Sequence, residues 1–326
     1  MIDLAKPTVA FVVPTGVGAK IGGFAGDASS WARKYSREFN LIVNPNVVNA
    51  ACFSGINENM LYVEGFALSK FFKGEINLLP SSDNKIGVIF DCSIPKDILN
   101  IHINTINAIK CVYGFNIIDF VITTEEVGVD YFLTDDKIST GGVKNPNTLI
   151  HSAQKLIDKG ADVLAVVCYF ADVEEDDDSY EQGVGVDIVG GIEGIISHYV
   201  SSKTFVPTVH APAFQTSNII ETNIVSAKVA SEYITPTFLP CLFFGLNNAP
   251  LYSKNGEISR ENISALIMPY NSLGSSIVFD SLEKNIPVIA VQENKTCLDI
   301  TSYNLGINDI INVATYDECI EVLRKL

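Results

Sequence analysis

Thr8-Val9-Ala10-Phe11-Val12-Val13-Pro14-Thr15-Gly16 is the stretch that decides the fold class. Its β-branched and aromatic residues follow one another without polar alternation, so the strand they form must be covered on both faces, as strands of parallel sheets are. Pro14 and Gly16 then turn the chain out of the sheet.

The same grammar recurs along the chain. Short, unalternating apolar runs predict strands at residues 41–43, 60–63, 86–90, 117–123, 162–170, 206–209, 238–244, 265–268, 287–291 and 310–313. Helical patterns are predicted at 28–39, 98–112, 147–159, 188–200, 223–233, 275–285 and 317–325. In the clearest, 147–159, Ile150, Ala153, Leu156 and Ile157 share one face and Gly160 supplies a stop, after which Ala161-Asp162-Val163 opens a strand. Helix followed directly by strand is half of a βαβ unit. The alternation predicts an α/β protein, doubly wound, with mainly parallel sheets in two Rossmann-like halves. The polar stretch 130–146 is the expected seam, which puts one half at 1–135, with a glycine-rich loop, and the other at 136–326.

Composition narrows the function classes. The chain has 326 residues, 47% hydrophobic and 18% charged, enough apolar material to offset the entropy of ordering. With 22 Lys and Arg against 38 Asp and Glu, the formal charge is −16, which repels phosphate backbones and anionic lipid. Neither nucleic acid nor a membrane is an expected partner, whereas assembly into a homo-oligomer stays open. The N-terminus shows no basic region followed by a long apolar run. The cysteines at 52, 92, 111, 168, 241, 297 and 319 form no CxxC pair and no cluster with histidine, a pattern of free thiols without a zinc site. A cytoplasmic location is the expectation from these features. The acidic block Glu174-Glu175-Asp176-Asp177-Asp178 reads first as a solvated, self-repelling loop and only second as a cation site.

Several polar motifs stand at predicted strand ends, where open α/β sheets hold ligands. After the first strand, five glycines lie between Gly16 and Gly26, with Asp27 in the place of a helix N-cap. Thr15, Gly16, Gly18, Gly22 and Gly23 bare backbone N–H groups that form a plausible anion cradle, although the run fits neither GxGxxG nor the P-loop pattern and plain turn geometry explains it almost as well. Asn44, Asn46 and Asn49 follow the second strand, and their amides both donate and accept. Asp187, Glu193, His198 and His210 are two acids and two imidazoles able to meet at one strand end and move a proton, each imidazole being equally at home as a structural residue. Ser272, Gly274 and Ser275 lead into a helix, and Glu293 and Asn294 follow the strand after it, a setting suited to a phosphate or carboxylate. No cofactor is predicted, and a nucleotide is compatible with these turns.

Three resemblances add to this reading. Residues 269–296 loosely resemble the nucleotide-sugar region of two-domain glycosyltransferases through a glycine turn, a helix and the strand Pro287-Val288-Ile289-Ala290-Val291. Gly160-Ala161-Asp162 and the strand ending at Cys168 are similar to the aspartate/glutamate racemase superfamily, which would imply a strand-end thiol pair formed by Cys168 and Cys52; the Cys-Asn-Thr signature of that family is missing from the first half.

The broadest resemblance is to the DUF3326 family, known from cyanobacteria and plants. It is carried, in consistent order from about residue 8 to residue 300, by the motifs 13–19, 22–27, 44–49, Tyr62-Val63-Glu64-Gly65, 183–187, Ile196-Ser197-His198, His210-Ala211-Pro212 and 290–294. It brings no activity with it, and the family's pattern does not reliably place a cysteine at the position of Cys168. That favours a site of Asn, Asp, Glu and His, including Glu64, over a thiol site. The resulting expectation is an enzyme on a small anionic metabolite, or else a sensor or scaffold that binds one, with the glycine loops holding the anion and Asp187, Glu193, His198 and His210 supplying acid–base groups.

Overall fold

A computed structural model describes residues 2–170, 180–215 and 224–326. The acidic block 174–178 and the start of the helix expected from 223 lie outside the described residues.

Two parallel sheets form the framework. The larger runs in the order Ile310–Val313, Val288–Val291, Ile263–Pro269, Thr8–Phe11, Asn40–Val43, Met60–Tyr62, all parallel. The smaller runs Thr208–Ala213, Val163–Tyr169, Ile86–Phe90, Ile117–Ile122, also all parallel. The mainly parallel α/β architecture expected from the unalternating strands is therefore what the chain adopts. Each sheet takes strands from both sides of residue 135, so a division at 135/136 cuts across both. The polar stretch around 130–146 is no linker: Val129–Leu133 and Ser139–Val143 pair as an antiparallel hairpin.

Apolar residues cover both faces of both sheets. Val9, Phe11, Leu41 and Val43 of the larger sheet share one continuous core with Val88, Phe90, Ala165, Val167, Val209 and Ala211 of the smaller. The alternate residues of the larger sheet, such as Ala10, Ile42 and Leu266, pack against Leu68 and Phe71 of helix Gly65–Lys73 and Ile277 of helix Ser276–Glu283. Those of the smaller sheet, such as Ile89, Leu164 and Val166, meet Leu149 and Leu156 of helix Pro146–Asp158 and Ile192 and Ile196 of helix Gly190–Thr204.

Two elements differ from expectation. Residues 238–244 form no strand; they belong to the helix Leu239–Asn247, whose residues are buried on nearly every side. A helix apolar all round shows no helical period, and Pro240 fits its first turn because the N–H it lacks has no intrahelical partner there. The strand expected at 206–209 instead runs over Thr208–Ala213, which puts His210 and Pro212 inside it. It is an edge strand, where the N–H missing from Pro212 costs the sheet nothing. Of the helix expected at 223–233, the described part is helical only at Ala230–Tyr233.

Candidate active site

A cavity of about 500 Å3 opens where the loops after the first two strands of the larger sheet meet the edge strand Thr208–Ala213 and the start of helix Gly190–Thr204. Of the residues singled out in the sequence, Thr15, Gly23, Asn46, Asn49, Asp187, Glu193 and His210 line it. Tertiary packing adds Glu232, Tyr180, Tyr131, Phe24, Phe214 and Phe238, which sequence reasoning missed. Glu232 had no strand-end motif to mark it, and Phe238 lay in the run misread as a strand.

The glycine-rich loop does not present a free cradle of N–H groups. Asp27, in place of capping a helix, accepts from Gly22 N at 2.6 Å and Phe24 N at 3.4 Å. Ala25 N donates to Glu232 Oε1 at 3.0 Å and Ile21 N to Asn294 Oδ1 at 3.0 Å. Donors suited to an anion are thus spent on the chain's own carboxyls and amides. Gly16, at φ +71°, packs where an added Cβ would lie 2.9 Å from Ser139 Cβ, and Gly18 and Gly22 pack as closely against Val186 and Val13. These three glycines serve close packing and do not line the cavity.

The second glycine turn is likewise structural. Ser272 donates to Pro269 O, Gly274 packs on Ile300, Glu293 accepts from Tyr316 N at 2.6 Å, and Asn294 holds Ile21 and the Tyr316 hydroxyl. Ser275 precedes helix Ser276–Glu283 without a side-chain cap bond. Asn44 lies behind the cavity, clamping Val13 N at 3.0 Å and Val13 O at 2.7 Å. Asn46 donates to Pro14 O, and Asn49 donates to the Tyr62 hydroxyl at 3.0 Å.

The titratable groups gather at the opposite wall. Glu193 is 7% exposed, and its Oε1 has no hydrogen-bond partner. Burial, reinforced by the nearby Asp187, Glu64 and Glu232, pushes its carboxyl well above the usual range. Asp187 Oδ1 accepts from Val189 N at 3.0 Å and Gly190 N at 3.2 Å; burial still raises its pKa. Glu232 accepts from the Tyr180 hydroxyl at 3.0 Å, and burial raises it to about 8. Glu64 sits behind the lining, also raised by burial to about 8.

His210 reaches the same wall because the edge strand directs it toward helix Gly190–Thr204. Its Nδ1 lies 2.9 Å from Ser197 Oγ, and Ser197 donates to Gly194 O at 3.2 Å. The Ser197 hydroxyl thereby fixes the orientation of the ring through Nδ1, accepting from it when its own proton turns to Gly194 O. Burial, then His198, lowers the His210 pKa to about 3. His198 is not in the lining; it stays in contact with solvent, and its ring stands where a Cβ on Gly65 would come within 2.6 Å of Nε2.

Cys241 lines the cavity, its thiol pushed up to about 12 by burial, but the two thiols of the racemase resemblance are elsewhere. Cys168 is buried in the apolar layer beneath helix Gly190–Thr204, with its pKa pushed far up by burial, and neither it nor Cys52 lines the cavity.

The model of a family described as a protein of unknown function, DUF3326, matches residues 8–326. The chain belongs to the DUF3326 family. A DUF3326 site must accordingly be argued from its own chemistry. An uncharacterised lipoprotein of Synechococcus sp. is 34% identical over 310 residues, covering 92% of this chain and 85% of the relative. No solved structure matches. The cytoplasmic location expected for this DUF3326 chain is corrected by that match, because the relative is a lipoprotein by name. Among the described residues, no helix is long and apolar enough to cross a membrane.

Proposed function

We propose that the cavity is the active site of an enzyme that moves a proton on a small metabolite, with Glu193 as acid and His210 as base. The observation that carries the reading is the Oε1 of buried Glu193, without a hydrogen-bond partner among the described residues, on the same cavity wall as His210, an imidazole that Ser197 orients through Nδ1. Burial keeps the carboxyl protonated and the imidazole neutral, which gives the one a proton to donate and the other a lone pair to accept, and a bound substrate that restores polarity to the cavity would bring both affinities back toward neutral pH. Two groups with displaced and opposite proton affinities are what acid–base catalysis uses. Asp187 and Glu232, with Asn46 and Asn49, would hold the substrate's polar groups. The placement also agrees with the rule that α/β sheets bind ligands beyond their strand ends.

The test is to incubate the protein with a metabolite mixture and follow it by mass spectrometry beside Glu193→Gln and His210→Asn. A compound converted by the parent chain and spared by both variants is expected. Binding of a compound without any conversion would mark the cavity as a non-catalytic receptor and sink the enzymatic reading.

A further inference from the structure

The chemistry of the lining names a class of ligand. This inference rests on the reading of the cavity as a ligand site, and it does not depend on whether the ligand is turned over. Asp187, Glu193 and Glu232 converge on the cavity, and its lining contains no lysine or arginine among the described residues. The sequence at 171–179 and 216–223 contains none either.

Carboxyls alone would not make a site. Here one of them, Glu193, is 7% exposed, contributes to the cavity wall and has an oxygen that no described residue satisfies. A buried acceptor left without a donor is costly, and the missing partner must come from whatever fills the cavity.

The rest of the wall is aromatic. Phe24 and Tyr180 meet at a tilt with ring centroids 5.2 Å apart, Phe214 and Phe238 meet edge to face with centroids 6.2 Å apart, and Tyr131 adds a further ring. Aromatic faces attract cations, most strongly where water is excluded. Phe24 already does so, because the Lys228 ammonium lies 5.1 Å from the centroid of its ring while donating to Lys20 O. No three acidic, histidine or cysteine side chains stand close enough to hold a metal ion among the described residues, so the cation that fits is organic.

We propose that the cavity binds a small organic cation, an amine or quaternary ammonium compound, whose positive charge replaces a proton held among Glu193, Asp187 and Glu232 and released to solvent, with Phe24, Tyr180 and Phe214 as aromatic walls. An ammonium N–H, or the hydroxyl of a quaternary compound such as choline, donates to Glu193 Oε1. The carbon skeleton lies against the rings. Specificity for charge then comes from the acids, and specificity for shape from the aromatics.

The experiment is isothermal titration of the full chain with charge-matched pairs: choline against its uncharged carbon isostere, and n-butylamine against n-butanol, with inorganic phosphate and succinate as anions. At least one amine is expected to bind about tenfold or more tightly than its neutral partner. Glu193→Gln and, separately, Asp187→Asn should erase that preference. Equal binding within both pairs, tighter binding of phosphate or succinate, or no binding of either amine would overturn the proposal. The parent chain alone decides this, whether or not a variant folds. An amine bound but never converted keeps the proposal and removes the catalytic reading; conversion of an anion does the reverse.

Discussion

Glu64 Oε1 lies 3.8 Å from His210 Nδ1, and the two are a neutral pair in place of an ion pair. Burial raises the carboxyl to about 8 and lowers the imidazole to about 3, so at neutral pH the acid keeps its proton and the ring has none to spare. Desolvation outweighs the attraction of the charges the two groups would otherwise carry.

Stability should therefore fall as pH rises from 6.5 to 8. Over that window the unfolded Glu64 and Glu232 are ionised, with ordinary values near 4.5, while the folded ones near 8 retain protons. The folded state binds more protons, so raising pH favours unfolding, by up to about 2 kcal/mol per group over this range. His210 opposes this only slightly, by about 0.4 kcal/mol, because its unfolded imidazole, at 6.5, still binds about half a proton at the start of the window while the folded ring binds none. Urea midpoints at the two pH values check this, and Glu64→Gln should flatten the slope.

Ser197→Ala should release the tautomer of His210. Without the hydroxyl, the hydrogen-bond partner of Nδ1 is gone. Turnover is expected to fall by roughly tenfold with little change in KM, as for other groups that orient a functional histidine. Nitrogen NMR of the imidazole gives the decisive readout, since a purely structural role would leave the tautomer balance of the parent chain unchanged.

Asp27→Ala should loosen the glycine-rich loop. It strips the acceptor from Gly22 N and Phe24 N, and a buried donor left unsatisfied costs about 1–3 kcal/mol. Removing the desolvated carboxyl, raised by burial to about 6, offsets part of that loss. A net destabilisation of about 1 kcal/mol in chemical denaturation is expected.

Replacing both Cys168 and Cys52 by alanine should leave ligand binding and any conversion unchanged, because neither thiol reaches the cavity. Loss of solvent-deuterium exchange into substrate in these variants, with the fold intact by circular dichroism, would restore the thiol reading.

Asn294→Ala should be among the most damaging single changes outside the cavity. Its fully buried amide holds Ile21 N, Ile21 O and the Tyr316 hydroxyl together. Truncation orphans several buried polar groups, so a loss of about 3 kcal/mol or more is expected in denaturant titration.

The local parts were legible in proportion to how local their causes are. The run from Thr8 to Phe11 and the helix Pro146–Asp158 announce themselves, because strand and helix periods are written in neighbouring residues. Asp187, Glu193 and His210 were legible as a group because each follows or begins an apolar element. Leu239–Asn247 was not, since a helix buried all round has no polar face to show its period.

By itself, the sequence determined a parallel α/β framework and the residue types available at its strand ends: unalternating apolar runs must be covered on both faces, and the loops between them must be polar. Only tertiary structure decided which loops meet. Asn44 and Asn294 look like ligand groups in one dimension and prove to be internal partners, because the N–H and C=O groups they satisfy come from other parts of the chain. Glu232, unremarkable in sequence, becomes a wall of the cavity beside Tyr180 for the same reason. Hydrogen-bond supply is a property of the assembled fold, and it left Glu193 as the buried acid on the cavity wall with an oxygen still to be filled.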